Sequence, residues 1–80
     1  MNIGKIISTE NFAGKELVEI KLSNDVTDRD FSIADKLLIS GEYHVVKGWN
    51  FWSDKTKIDF VLDKVLPNEM LYCEVELEAA

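Results

Sequence analysis

The stretch Lys47-Gly48-Trp49-Asn50-Phe51-Trp52-Ser53-Asp54-Lys55-Thr56-Lys57 sets three large aromatic side chains within four positions, flanked by lysines. Aromatic faces beside cations stack on bases, on sugars or on the apolar side chains of a protein partner. Lys47, Trp49, Phe51, Trp52, Lys55 and Lys57 are therefore the candidate partner-binding residues. In extended geometry Trp49 and Phe51 share one face and Trp52 takes the other, so at least one of the three is expected at the surface. The competing reading is structural: Trp49 and Phe51 plug one end of the fold while Trp52 packs on its rim.

Other chemistry-bearing residues lack the company that catalysis needs. His44 is the single histidine, and its neighbours Glu42 and Lys47 form no nucleophile–base–acid arrangement. It reads as a surface or rim residue, on the strand face opposite Val45. Cys73 is the single cysteine, so no disulfide forms within the chain, and with His44 alone it cannot build a structural zinc site. It reads as a core residue. Asp25, Asp28 and Asp30 resemble the start of a calcium loop, but Arg29 interrupts them and the central glycine is missing, which fits a solvated turn. No metal and no cofactor are expected. Glu74, Glu76 and Glu78 recur at a spacing of two and make an acidic stripe, which Asp59 and Asp63 would extend if their strands pair. The stripe serves solubility and edge protection, or else it meets a basic partner or mimics nucleic-acid charge.

Eighty residues make one domain, spanning 1–80. The net charge of −6 opposes binding to free DNA, which needs a local excess of cations. Residues 47–57 are the exception, with three lysines against one aspartate. No apolar run approaches the roughly 18 residues of a membrane span, and no leader-like segment opens the chain, so a cytoplasmic protein is expected.

The elements that must position these residues alternate with a period of two. Ile3 to Ser8 reads as a first strand, with a turn at Asn11 to Gly14. In Lys15 to Ser23 the set Val18, Ile20 and Leu22 faces one way. Glu and Lys there also suit a helix, but the two-residue apolar step argues for a strand. Asn24 to Asp30 is a polar connection, with a short helical turn near Thr27 to Ala34. Residues 36–48 read as a hairpin turning at Ser40-Gly41-Glu42. Trp49 to Lys55 reads as an aromatic loop or irregular strand. Thr56 to Leu62 alternates again, Leu66 to Glu69 is a turn, and Leu71 to Leu77 reads as the last strand, with Leu71, Cys73, Val75 and Leu77 inward. The expected core is Val18, Ile20, Leu22, Ile39, Val45, Phe60, Leu71, Cys73 and Val75. About six short strands with punctuating turns predict an all-β, small antiparallel barrel, whose closure removes unpaired edges.

Ala34-Asp35-Lys36-Leu37-Leu38-Ile39-Ser40-Gly41 resembles the G-D-x-L-x-I-x-G segment in the β-barrel second domain of translation factors of the elongation factor Tu type. Asn68-Glu69-Met70-Leu71-Tyr72-Cys73-Glu74-Val75 is similar to that domain's final segment, and Ile3-Gly4-Lys5-Ile6 with Val18 to Leu22 resembles its first two strands. Ala34 and Asn68 stand where the family usually has glycine. The chain has no G-x-x-x-x-G-K-[ST] phosphate loop. The resemblance therefore implies a barrel without its GTPase, docking on a protein or ribonucleoprotein surface and catalysing nothing. The hairpin carrying Asp35, Leu37, Ile39, Tyr43 and Val45 is also similar to small barrels at phage head–tail joints. That likeness implies a structural or inhibitory interaction protein of phage or mobile-element origin, using its acidic face. A small enzyme is the remaining reading, and a pocket joining His44 to a carboxylate would favour it.

Overall fold

The computed structural model describes residues 1–23, 30–66 and 70–79. Six antiparallel strands run β1 (Asn2–Phe12), β2 (Lys15–Leu22), β3 (Lys36–Ile39), β4 (Glu42–Phe51), β5 (Lys57–Leu62) and β6 (Glu74–Glu78). They close into a barrel in the order β1-β2-β5-β4-β3-β6. Two hairpins are set by two-residue turns in the left-handed region. Ala13 and Gly14 have φ of 51° and 79°, and Ser40 and Gly41 have 50° and 82°. Two successive positive φ values match the right-handed twist of the flanking strands, which holds Phe12 opposite Lys15 and Ile39 opposite Glu42.

Period-two alternation sends Val18 and Ile20 of β2, Leu37 and Ile39 of β3, and Ile58, Phe60 and Leu62 of β5 into one core with Ile3, Ile6, Val46 and Val75. Each such side chain contributes about 1.5–3 kcal/mol by leaving water. Phe31, just ahead of β3, is buried against this core. It meets the Phe60 ring edge-on at 5.2 Å and the Trp49 and Phe51 rings at 6.0 and 5.8 Å. Ser32–Asp35 is a turn closed from both sides: the Ser32 N–H donates to the Asp35 carboxylate at 2.8 Å, and the Asp35 N–H to the Ser32 carbonyl at 3.1 Å.

Several sequence expectations are corrected. Val45 is only half-buried and points out, whereas His44 and Val46 point in. The pairing of β4 with β5 shifts between Val46 and Gly48, and this bulge resets the alternation so that Trp49 and Phe51 return to the core side. Of the two readings of Trp49 to Lys55, the irregular strand holds for Trp49 to Phe51, which belong to β4, and the loop for Trp52 to Lys55. The last strand starts at Glu74, not Leu71. Met70 and Tyr72 have φ of 53° and 65°, the Tyr72 N–H donates to the Ile6 carbonyl at 2.7 Å, and the Cys73 N–H turns back to the Met70 carbonyl at 3.2 Å. Leu71 is consequently 40% exposed, and Cys73, like Leu22, is only partly buried against the core. Of the helical turn expected near Thr27 to Ala34, residues 27–29 lie outside the described residues and Asp30 is in 3-10 geometry; of the turn expected at Leu66 to Glu69, residues 67–69 lie outside them. From Phe31 to Ala34 the chain is not helical.

Candidate functional site

The β4–β5 connection carries the exposed aromatic. Residues 52–57 form a tight turn: the Trp52 N–H donates to the Lys57 carbonyl and the Lys55 N–H to the Trp52 carbonyl, both at 3.0 Å. Asp54 Oδ1 accepts from the Thr56 N–H at 3.0 Å and from its hydroxyl at 2.9 Å. These two hydrogen bonds hold the Asp54 carboxyl below its ordinary pKa, the backbone one foremost. Trp52 sits on this turn with 37% of its surface exposed. Its indole Nε1–H donates to Asp59 Oδ1 at 3.2 Å, and the Lys57 ammonium lies 4.4 Å from its ring centroid. The indole is fixed on its edge and on one face before any partner arrives.

The remaining window residues divide between two settings. Trp49 and Phe51 pack partly buried against Phe31, as the plug reading requires, and Lys55 reaches over the Phe51 ring at 5.3 Å. Lys47 is exposed at the β4 bulge, separated from the Trp52 turn by the length of Trp49–Phe51. Trp52, Lys55 and Lys57 cluster on the turn, with the exposed edges of Trp49 and Phe51 leading back into the core.

Glu74, Glu76 and Glu78 all face out on β6. β6 lies between β1 and β3, so Asp59 and Asp63, on and just after β5, do not extend the stripe. Nor does the stripe guard an edge, since the barrel is closed. Lys5 stands opposite Glu74, Leu38 opposite Glu76 and Lys36 opposite Glu78. Glu78 hydrogen bonds the Tyr43 hydroxyl and raises its pKa, while the Lys36 ammonium lies 5.8 Å from the Tyr43 ring. The acidic stripe is thus broken by basic and apolar neighbours on either side.

His44 departs furthest from expectation. It faces the barrel interior opposite Leu37, with 1% of its surface exposed. Neither ring nitrogen has a hydrogen-bond partner within the described residues. Glu16 is also buried, and its Oε1 accepts the Leu66 N–H at 3.1 Å. Burial lowers the His44 pKa; the charges of Glu42, Asp63 and Glu16 pull the other way, and Lys64 adds to the lowering. The unfolded chain takes up a proton near pH 6.5 while folded His44 resists it to lower pH. Stability is therefore full above about 6.5 and falls as pH drops through that value toward the lowered folded pKa. We expect His44→Leu to flatten the denaturation midpoint between about pH 7 and 5 and to raise stability at neutral pH by about 1 kcal/mol, because two unpaired buried nitrogens disappear. A parent protein whose midpoint is level across that range would contradict this.

Among the described residues no helix is long and apolar enough to cross a membrane. The Asp25 and Asp28 positions of the calcium-like run lie outside the described residues. Comparison with family models, curated proteins and solved structures finds no match.

Proposed function

We propose that this barrel is a non-catalytic binding module that docks on a protein or ribonucleoprotein surface through the Trp52 turn, with Lys55 and Lys57 beside the indole. The observation that carries this reading is the exposed Trp52 ring, held by Asp59 and capped on one face by Lys57. A preset aromatic surface loses little side-chain entropy on binding. His44 is buried in the core, and among the described residues its ring nitrogens meet no hydrogen-bond partner. A cytoplasmic setting agrees with the free thiol of Cys73.

Trp52→Ala is expected to weaken binding by about 1–3 kcal/mol, as for an anchor or stacking residue. Lys55→Ala and Lys57→Ala should do less, with effects that shrink at high salt. The measurement is calorimetric titration of the purified partner against each variant, with folding checked by circular dichroism. Unchanged affinity in Trp52→Ala would overturn the reading. Loss of affinity in Glu76→Lys instead would assign docking to the acidic face, as in a structural or inhibitory interaction protein.

A further inference from the structure

A second feature adjoins the Trp52 turn and becomes visible only once the strands are paired. Lys5 on β1 is the cross-strand partner of Lys21 on β2, and Lys21 is in turn the partner of Lys57 on β5. Three lysines therefore stand in one row across adjacent strands. Directly opposed like charges destabilise a sheet, and this chain carries a net charge of −6, with acids available elsewhere. No carboxylate ion-pairs with Lys5 or Lys21 among the described residues, where the ion pair formed is Lys64–Glu42 at 2.8 Å. At the β1 end the row borders an open groove of about 470 Å³, whose lining includes Lys5, Lys21, Ile7, Leu22 and Tyr72, with Glu74 as its one acidic residue. Tyr72 is 73% exposed and held in left-handed backbone geometry, with its N–H bound to the Ile6 carbonyl. The surface thus runs from Tyr72 over a mainly apolar groove, along three cations, to Trp52.

We propose that the Lys5–Lys21–Lys57 row and the Tyr72 groove seat an acidic, extended peptide segment of a partner protein. The inference rests on the reading of Trp52 and Lys57 as a partner-facing surface and names the partner's chemistry. Adjacent strands are about 4.8 Å apart, so the row spans about 10 Å, and carboxylates on one face of an extended peptide repeat every 6.8 Å or so. Two acidic side chains two residues apart are therefore within reach of the three flexible ammonium groups. An apolar side chain beyond them enters the groove over Ile7 and Leu22. A nucleic-acid strand fits less well. Its affinity grows with the number of phosphates neutralised, whereas this row is only three cations long. The row is bounded by Glu74 at one end, and the paired Glu19 and Asp59 lie two residues along β2 and β5, so the occupant is limited to the few acidic groups that three lysines can meet.

The test is fluorescence anisotropy with two probes: a labelled peptide carrying glutamate at two positions two residues apart and leucine two residues beyond them, with serine between, so that all three share one face of the extended chain, and an oligothymidylate of equal net charge. The parent chain should bind the peptide and prefer it to the oligothymidylate. The double variant Lys5→Gln/Lys21→Gln should weaken peptide binding about tenfold, the sum of two exposed charge contacts, and should melt no lower than the parent, because a repulsive pair has been removed. Peptide binding that is lost in Trp52→Ala but unchanged in the double variant would overturn the lysine row and leave the Trp52 turn standing. Binding lost in the double variant but unchanged in Trp52→Ala would support the row and count against the turn. Preference for oligothymidylate, or no peptide binding by the parent, would overturn the inference.

Discussion

Gly4→Ala is expected to remove about 3 kcal/mol of stability or more, enough to unfold much of a domain this small. Gly4 has a φ of 153°, and a Cβ built on it would collide with the Lys21 carbonyl oxygen and lie 3.0 Å from Ile20 Cγ2. The obstacle is the backbone of the neighbouring strand, which cannot turn aside as a side chain does. Gly4 also sits opposite both Leu22 of β2 and Val75 of β6, so moving it disturbs both seams of β1. Urea denaturation of the two proteins at neutral pH measures the effect. An alanine variant with the parent's midpoint would show that β1 and β2 do not approach this closely. Gly48→Ala is the control, since a Cβ there meets no atom within 4 Å.

Val75→Asp should abolish the cooperative transition altogether. Val75 is fully buried, paired with Gly4 on one side and Ile39 on the other, and belongs to the one core of the barrel. A carboxylate placed there is surrounded by apolar groups, and an uncompensated buried charge costs about 3–5 kcal/mol. The neighbouring Glu76→Gln, at an exposed outward position, should melt like the parent. Thermal unfolding followed by circular dichroism separates the two. A Val75→Asp protein that melts near the parent temperature would place this position outside the core.

The strands were legible where alternation is uninterrupted and the turn residues are conventional. Val18 and Ile20, Ile58 to Leu62, and the Ser40-Gly41 turn lie where period-two reasoning puts them. It fails where the backbone breaks period without a residue that announces the break. The bulge at Lys47 and Gly48 shifts the phase of β4, so counting back from Trp49 and Phe51 favours Val45 over His44. Met70 and Tyr72 adopt positive φ although neither is a usual turn former, so Leu71 turns out to solvent and Cys73 is left only partly buried against the core. Phe31, which anchors the aromatic cluster, belongs to no strand and gives no periodic signal. In the candidate site, the Trp52 turn was legible from three aromatics crowded into four positions. The lysine row was not, because positions 5, 21 and 57 are unrelated until β1, β2 and β5 lie side by side.

The order of the strands also sets a timetable for folding. β1 and β2, and β3 and β4, are joined by two-residue turns and pair locally, on the microsecond scale of hairpins. β6 must instead find β1 at the far end of the chain, where Asn2 meets Glu76, and β3 at the same time. Pairings this distant in sequence place the barrel among the slower folders, at milliseconds to seconds. Translation adds its own delay. At about 5–20 residues per second, β1 and β3 wait for several seconds with an unfilled place between them, until the short segment 74–78 has been made. During that interval Ile3, Ile6 and Ile39 face a core that still lacks Val75. The nascent chain is then open to capture by other strands, and this vulnerability ends when the last five-residue strand arrives.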